Sequence, residues 1–459
     1  MPSNKKILVN LLAIALALGV QTSQAQEINE EKQTVPAQVP ITIEANQLSF
    51  SDETGDILAY GNVVITNQGQ RIEAEQINGN AKLSEIWIND QAHFSGPDAN
   101  LSGSRTVYNY KLRTGSMEDV KGKVGRKYVS GRTISMVPDQ FTIDHGTSTN
   151  CPAIIPDYHI SADKIEIWPG DKLIAYNAKF WIGNTVIFTL PKYRQSIKPG
   201  EDGGVFPSIG YDNDDGIYIK QHLEYPFTDK LSAYVNLNYY TRADFKPNYG
   251  LIYRETNYSL GVTQGRYRDD DNNWIKKEPE FKLSYYPQQL GNLPVDYTFT
   301  AIYGKWSDRY KSSWHQDYSV YFSHRPIKMN SSMNLYLGTG LQHVRESYDN
   351  SVTNNIKYDV TIDKKWERFT AWVGYHYNQH DFELFDYDTD DISRELAAGF
   401  TYKIDRMNTI SVKQSYDLDN SRLADVDYIW YRNLHCWEAK LTYRAKRDQI
   451  KFDISAIRW

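Results

Sequence analysis

The stretch TSTNCPAIIPDYHISADKIEIWPGDKLIAYNAKFWIGNTVIFTLPKYRQSIKPGEDGGVF, Thr147 to Phe206, lies at the join between two kinds of sequence. Before it, segments are short, glycine-punctuated and rich in Ile and Val. After it they are long, tyrosine-rich and alternating as far as Trp459. The join carries Cys151, with Pro152 and Pro156 close behind, and the other cysteine of the chain is Cys436.

Upstream of the join, Ile41, Ile43 and Ala45 alternate with polar residues, and Ile57, Ala59, Gly61, Val63 and Ile65 fall on one face of a period-two pattern. Turn signals recur at 52–56, 67–69, 78–80, 96–98 and 113–115. Short strands at that spacing predict a compact all-β domain over 41–150, a sandwich or an open roll. Downstream, segments such as LSAYVNLNYYT (231–241), YSLGVTQGRYR (258–268), MNLYLGTGLQHV (333–344) and FTAWVGYHYN (369–378) alternate over lengths that suit a tilted membrane-spanning strand, about 9–11 residues. The tract from 205 to 459 has room for roughly sixteen of them, an even number as a closed antiparallel barrel requires. The residues 151–204 between the two read as the junction and the entry to the barrel.

Thirty-five Tyr and eleven Trp fit a transmembrane barrel with aromatic girdles, while a mean hydropathy of -0.61 fits its polar lumen. A large soluble β-sandwich is the competing class. No run of 18 apolar residues follows the N-terminal segment, so no helical span is expected. Met1 to Ala25 reads as a signal peptide, with Lys5 and Lys6, an apolar run from Ile7 to Val20 and a Ser23-Gln24-Ala25 cleavage site; 26–40 reads as a flexible leader. A formal charge of -6 suggests no nucleic-acid partner. In an exported chain two cysteines most simply form one disulfide, the alternative being two unpaired thiols.

The phrases IEANQLSF and AYGNVVITNQGQRIEAEQI, then TSTNCP, ISADKIEIW and the segment from AYNAKFW to LEYPF, with HCWEAKLTYR late in the chain, resemble the organic-solvent-tolerance family of outer-membrane lipopolysaccharide-assembly proteins. The resemblance covers most of Ile41 to Pro226. It implies a periplasmic β-jellyroll that takes lipid acyl chains in an apolar groove, and an outer-membrane barrel with a lateral gate for the lipid. Carried onto this sequence, it implies a Cys151–Cys436 disulfide, a groove lined by Ile43, Ala45, Ile57, Ala59, Val63, Ile65 and Ile72, and a gate at Pro207, Pro226 and Trp459. Prolines there have no N–H to give to a strand ladder. The implied partners are lipopolysaccharide, a periplasmic LptA-like bridge protein, an LptE-like lipoprotein plug and the barrel-insertion machinery, for which the end at Ile457 and Trp459 suits an assembly signal. The chain departs from better-known members in its shorter barrel and in His435, which stands where they have a further cysteine.

Nothing in the sequence calls for catalysis, a cofactor or a metal. His376 and His380 would sit roughly 13 Å apart along a strand, too far to share an ion. The acidic runs Asp269–Asp271 and Asp386–Asp391 would suit hard cations or simply solvated loop tips. No nucleophile elbow, phosphate loop or Cys/His cluster is present. The expected function is therefore non-enzymatic lipopolysaccharide transport and assembly at the outer membrane. A passive porin-like barrel is the second reading, and an outer-membrane lipid hydrolase with a dispersed site is the third.

Overall fold

The structure, a computed structural model, describes residues 41–198, 206–269, 271–379, 384–387 and 392–456. The expected signal peptide and leader, and with them Asp270, His380, the later part of the 386–391 run, Ile457 and Trp459, lie outside the described residues. Every described element of regular structure is a strand.

Strands from Thr42 to Ser196 form one 13-stranded antiparallel sheet, in which Thr42–Glu44 and Gln47–Phe50 both pair with Asp56–Asn67 and, from Ala99–Asn109 on, each strand pairs with the next in sequence. Its interior face is the Ile- and Val-rich one. Residues such as Ala59, Ile77, Leu101, Ile134, Ile143 and Phe180 are fully buried in a single apolar cluster. Burying each large aliphatic side chain there contributes about 1.5–3 kcal/mol. No second layer covers this face among the described residues, so the sheet is folded over onto itself.

The fold-over is written into the backbone. A row of left-handed residues crosses the strands at mid-length: Asn62, Arg105, Asp119, His145 and Asn177, with φ between 44° and 52°. On several strands the inward parity flips at mid-length, whereas Asp56–Asn67 keeps Ile57, Ala59, Val63 and Ile65 on one face across Asn62. Val129 gives way to Ile134 and Met136, Ile160 and Ala162 to Ile165 and Ile167, and Leu173 and Ala175 to Ala178 and Phe180. On Lys172–Ile182 the change falls at left-handed Asn177, which turns the following side chains to the other face; next to Asn62 and Arg105 the ladder also shifts register. One rung breaks instead: Glu85–Ile88 and Ala92–Ser95 share the gap between Gln70–Asn80 and Ala99–Asn109, with the break at Asn89, Asp90 and Gln91.

The sheet runs past the expected boundary at 150. The strands Tyr158–Trp168, Lys172–Ile182 and Thr185–Ser196 belong to it and not to a barrel entry. Cys151, Pro152 and Pro156 interrupt pairing only for a loop, after which Tyr158–Trp168 pairs back onto Gln140–Thr149. Composition changes at the prolines; hydrogen bonding does not change until after Ser196.

From Ser208 to Ala456 sixteen antiparallel strands close into a barrel, the first (Ser208–Asp212) pairing with the last (Gln449–Ala456). The two-residue segment Asp244–Phe245 is only a flap of the hairpin beside Leu231–Tyr240. Alternation here has the opposite sense. Along Tyr258–Arg268, Leu260 and Val262 point out and are exposed, whereas Ser259 and Thr263 point into the lumen. The outer belt of Leu, Val, Ile and Tyr spans strand after strand and is dressed at both ends by aromatic pairs, Tyr303–Trp314 at one end and Phe369–Phe400 at the other. An apolar exterior around a polar lumen, with every ladder closed, is the condition for strands to cross a bilayer.

Candidate functional site

The two halves meet at a junction built from a few residues of each. Cys151 and Cys436 form a disulfide, Cα to Cα 4.5 Å, that ties the loop after Gln140–Thr149 to the turn between Arg422–Asn433 and Trp437–Arg444, the two strands that precede the last. Asp157 donates its backbone N–H to Cys436 Sγ at 3.4 Å. Around the bridge, the Tyr158 ring packs against Phe206 at 4.6 Å and Trp437 at 5.3 Å, and Phe180 against Tyr193 at 4.9 Å.

These contacts make the sheet's interior continuous with the barrel. The apolar cluster that begins at Ile57 also contains Phe206, just before the first barrel strand, Cys436, and Ala456 in the last strand, with Trp437 packed against it. Trp437 and Ala456 stand on the outward face of their strands, because their lumenal neighbours by alternation are Lys440, Arg444 and Asp453. An apolar route thus leads from between the leaves of the sheet to the lipid-facing side of the barrel.

The expected groove residues fall along this route. Ile57, Ala59, Val63, Ile65 and Ile72 are buried in the interior; Ile43 and Ala45 pack onto it, half-exposed, at the sheet's free edge. At that edge Leu48 and Phe50 are left in solvent. Burial also pushes the Tyr108 phenol up to about 12, as a water-poor interior requires.

Where the route meets the barrel, the wall is thin. The first strand has 5 residues, and its register with the last joins only Ile209–Ile454, Gly210–Asp453, Tyr211–Phe452 and Asp212–Lys451. By contrast Val295–Ser307 pairs along its whole length with Ser312–Asn330. Pro207 immediately precedes the short strand and has no N–H to extend the ladder. Pro226 closes the second strand opposite Ser232, one strand removed from the seam. Inside the lumen the Tyr218 hydroxyl donates to Asp453, reaching across Gly210, where a Cβ would meet the Tyr218 ring. At the far end Gln449 Nε2 donates to Asp214 at 2.8 Å and Asn213 Nδ2 to the Asp448 carbonyl at 3.0 Å. The side-chain ties across the seam therefore gather at the end away from the sheet.

The lumen is polar and charged. One cavity of about 830 Å³ is lined by Lys357, Asp359, His376, Asp427, Arg444 and Arg447 among others. His376 Nδ1 lies 2.7 Å from Asp359 Oδ1, so its partner is a carboxylate. Asp271 is held by Arg444 and Arg447, and Asp269 caps its own loop through Asn273. Those acidic residues are taken up by protein groups. No group of three or more His, Cys, Asp or Glu converges as metal ligands among the described residues. Part of the lumen is filled by the segment 384–387: Leu384 and Phe385 pack on Ile275 and Trp306, and Lys311 and Asn273 bind its carbonyls at 3.0 and 2.8 Å.

No family model matches this chain. It is 20% identical over 297 residues to the LPS-assembly protein LptD of Vibrio cholerae serotype O1, covering 61% of this chain and 37% of that protein. It is 21% identical over 286 residues to LptD of Acinetobacter baylyi, covering 60% and 35%. In sequence the chain is similar to LptD. It spans little more than a third of the length of these curated relatives. Among solved structures, a mutant Rh. blastica porin aligns at 9% identity and TM-score 0.30 over 54% of this chain and 95% of its own. A bacterial polysaccharide outer membrane secretin aligns at 12% identity and TM-score 0.32 over 55% and 97%.

Sequence reading missed two things that matter here. The strands Trp274–Gln289 and Arg422–Asn433 went unmarked, the first because Pro279 and Pro287 mask its alternation; the register shifts beside both prolines show how the ladder accommodates them. The parity flip in the N-terminal sheet was also missed, although Ile-x-Ala followed by Ile-x-Ile one residue out of phase in ISADKIEI carries it openly.

Proposed function

We propose that this chain transports lipopolysaccharide and assembles it in the outer leaflet of the outer membrane, without catalysing a reaction. Acyl chains would travel between the leaves of the N-terminal sheet past Ile43, Ala45, Ile57, Ala59, Val63, Ile65 and Ile72, and enter the bilayer where Pro207 and the short first strand leave the seam to the last strand weak. Sugars and phosphates would use the polar lumen. An amphiphile needs two routes, because a single polar or apolar path would desolvate half of it unfavourably. The observation that carries this reading is the unbroken apolar cluster from Ile57 to Phe206, Cys436 and Ala456; the similarity to LptD supports it. The sheet would lie in the periplasm and receive lipid at its free edge from a strand-adding, LptA-like partner. A lipoprotein plug of the LptE kind would share the lumen with the 384–387 segment.

Photo-cross-linkers at Ala59 and Val63 should capture lipopolysaccharide, whereas those at the outward neighbours Tyr60 and Val64 should not. A cysteine pair at Ile209 and Ile454, once oxidised, should stop delivery to the cell surface while the barrel stays folded. Efficient cross-linking of the seam with export unchanged would sink the lateral route. The charged lumen favours a second reading, a passive pore, which depletion separates: loss of small-solute uptake with normal lipopolysaccharide delivery would support the pore.

A further inference from the structure

At the place where the sheet's last strand crosses the mouth of the barrel, three charged residues from three strands come together. Arg194 is on Thr185–Ser196, Glu224 on Gly216–Pro226 and Arg254 on Asn248–Arg254. Arg194 Nη1 donates to Glu224 Oε1 at 3.0 Å; Arg254 gives Nη1 to Oε1 at 2.7 Å and Nη2 to Oε2 at 3.1 Å. Arg194 and Glu224 are 4% and 3% exposed. Two cations therefore share one buried carboxylate, Arg254 being only partly covered.

A guanidinium carries five N–H donors, and Glu224 takes one from Arg194 and two from Arg254. The single carboxylate balances only one of the two cations, and an excess buried charge is costly. Both arginines border a cavity of about 340 Å³ whose wall also holds His222, Ser259, Ser284 and Tyr286. We propose that this cavity is an anion site for a phosphate group carried on a saccharide, with Arg194 and Arg254 as its ligands and Glu224 as the brace that fixes their forks. Phosphate suits it on two counts: its oxygens accept paired N–H donors from guanidinium planes, and its negative charge offsets the uncompensated cation. The serine and tyrosine hydroxyls supply donors and acceptors for the attached sugar.

The position fits an amphiphile at the point where its parts separate. Tyr193, adjacent in the chain to Arg194, turns its ring onto Phe180 in the apolar cluster. Consecutive residues of one strand thus face an apolar route and a charged cavity. That the phosphate arrives on a lipid-linked saccharide rests on the transport reading; that the cavity binds phosphate does not.

The test uses the full chain in detergent micelles. Binding is measured for lipopolysaccharide, for dephosphorylated lipopolysaccharide and, by 31P line broadening, for inorganic phosphate. The variants are Arg194→Gln alone and the triple Arg194→Gln, Glu224→Gln, Arg254→Gln, which leaves no orphaned charge; heat-modifiable gel mobility reports that the barrel is intact. Wild type should bind the phosphorylated lipid about tenfold tighter than the dephosphorylated one, a preference the triple variant should lose. Both variants should also broaden inorganic phosphate less than wild type. Equal broadening in wild type and triple variant, or a phosphate preference that survives the substitutions, overturns the anion site and marks the cluster as an ion pair that only braces the junction. Failure of both lipids to bind while phosphate broadening remains arginine-dependent would overturn the transport reading and leave the site standing.

Discussion

The two halves of the molecule use one pattern in opposite senses. In the N-terminal sheet, alternating strands put aliphatic residues such as Ala59 and Ile134 inside and leave polar residues in solvent; in the barrel, they put Leu260 and Val262 outside and keep Ser259, Asp317 and Asp359 within. Period two says only that a strand has two unlike faces. Which face turns inward depends on what lies outside, water around the sheet and hydrocarbon around the barrel. The junction is where the two senses must be joined, and it does this by setting the sheet's interior against the barrel's exterior at Trp437 and Ala456.

That inversion predicts three different outcomes for one substitution. Ala59→Arg, in the folded-over sheet, buries an unpaired charge at a cost of several kcal/mol and should leave that sheet protease-sensitive while the barrel still forms. Val262→Arg, on the outer belt, should cost about 2–4 kcal/mol in a bilayer if it lies near mid-depth. Ser319→Arg, on the lumenal face between Asp317 and Tyr321, should change stability by less than about 0.5 kcal/mol. Urea titration of vesicle-inserted protein ranks them, and similar costs at Val262 and Ser319 would break the comparison.

The disulfide bears on how firmly the two senses are held together. It closes a span of 285 residues, for which the chain-entropy model gives about 5 kcal/mol as an upper figure. Cys151→Ala with Cys436→Ala should lower the unfolding midpoint and free the sheet from its fixed place beneath the seam. Non-reducing gels of wild type and Cys436→Ala should differ in mobility, and identical migration would show that aromatic packing alone makes the junction.

The crease sharpens the other side of the comparison, since the barrel strands need no such row. Asn177 has φ of 52° and donates to Asp163 at 2.8 Å. Asn177→Val forces a β-branched residue into the left-handed region and should cost about 1–2 kcal/mol, whereas Asn177→Gly, which loses the same hydrogen bond, should be close to neutral. Thermal unfolding of the two variants isolates the backbone effect; equal losses would mean that the hydrogen bond, and not the bend, matters.

The sequence pointed to an all-β chain, to a change of strand character near Cys151, and to a barrel of about sixteen strands in the second half, with a soluble β-sandwich as the competing class. Those conclusions rest on periodicity and strand length, which are local. The faces of Ile57, Ala59, Val63, Ile65 and Ile72 were legible for the same reason. Tertiary structure alone decided that strands 158–196 complete the N-terminal sheet, that this sheet covers its own apolar face, and that its interior runs on to Phe206 and Ala456. It also decided that Arg194, Glu224 and Arg254 meet. Their separations in the chain carry no signal, because the encounter depends on where one sheet's edge is laid across another's mouth, and that is fixed by long-range packing and one disulfide.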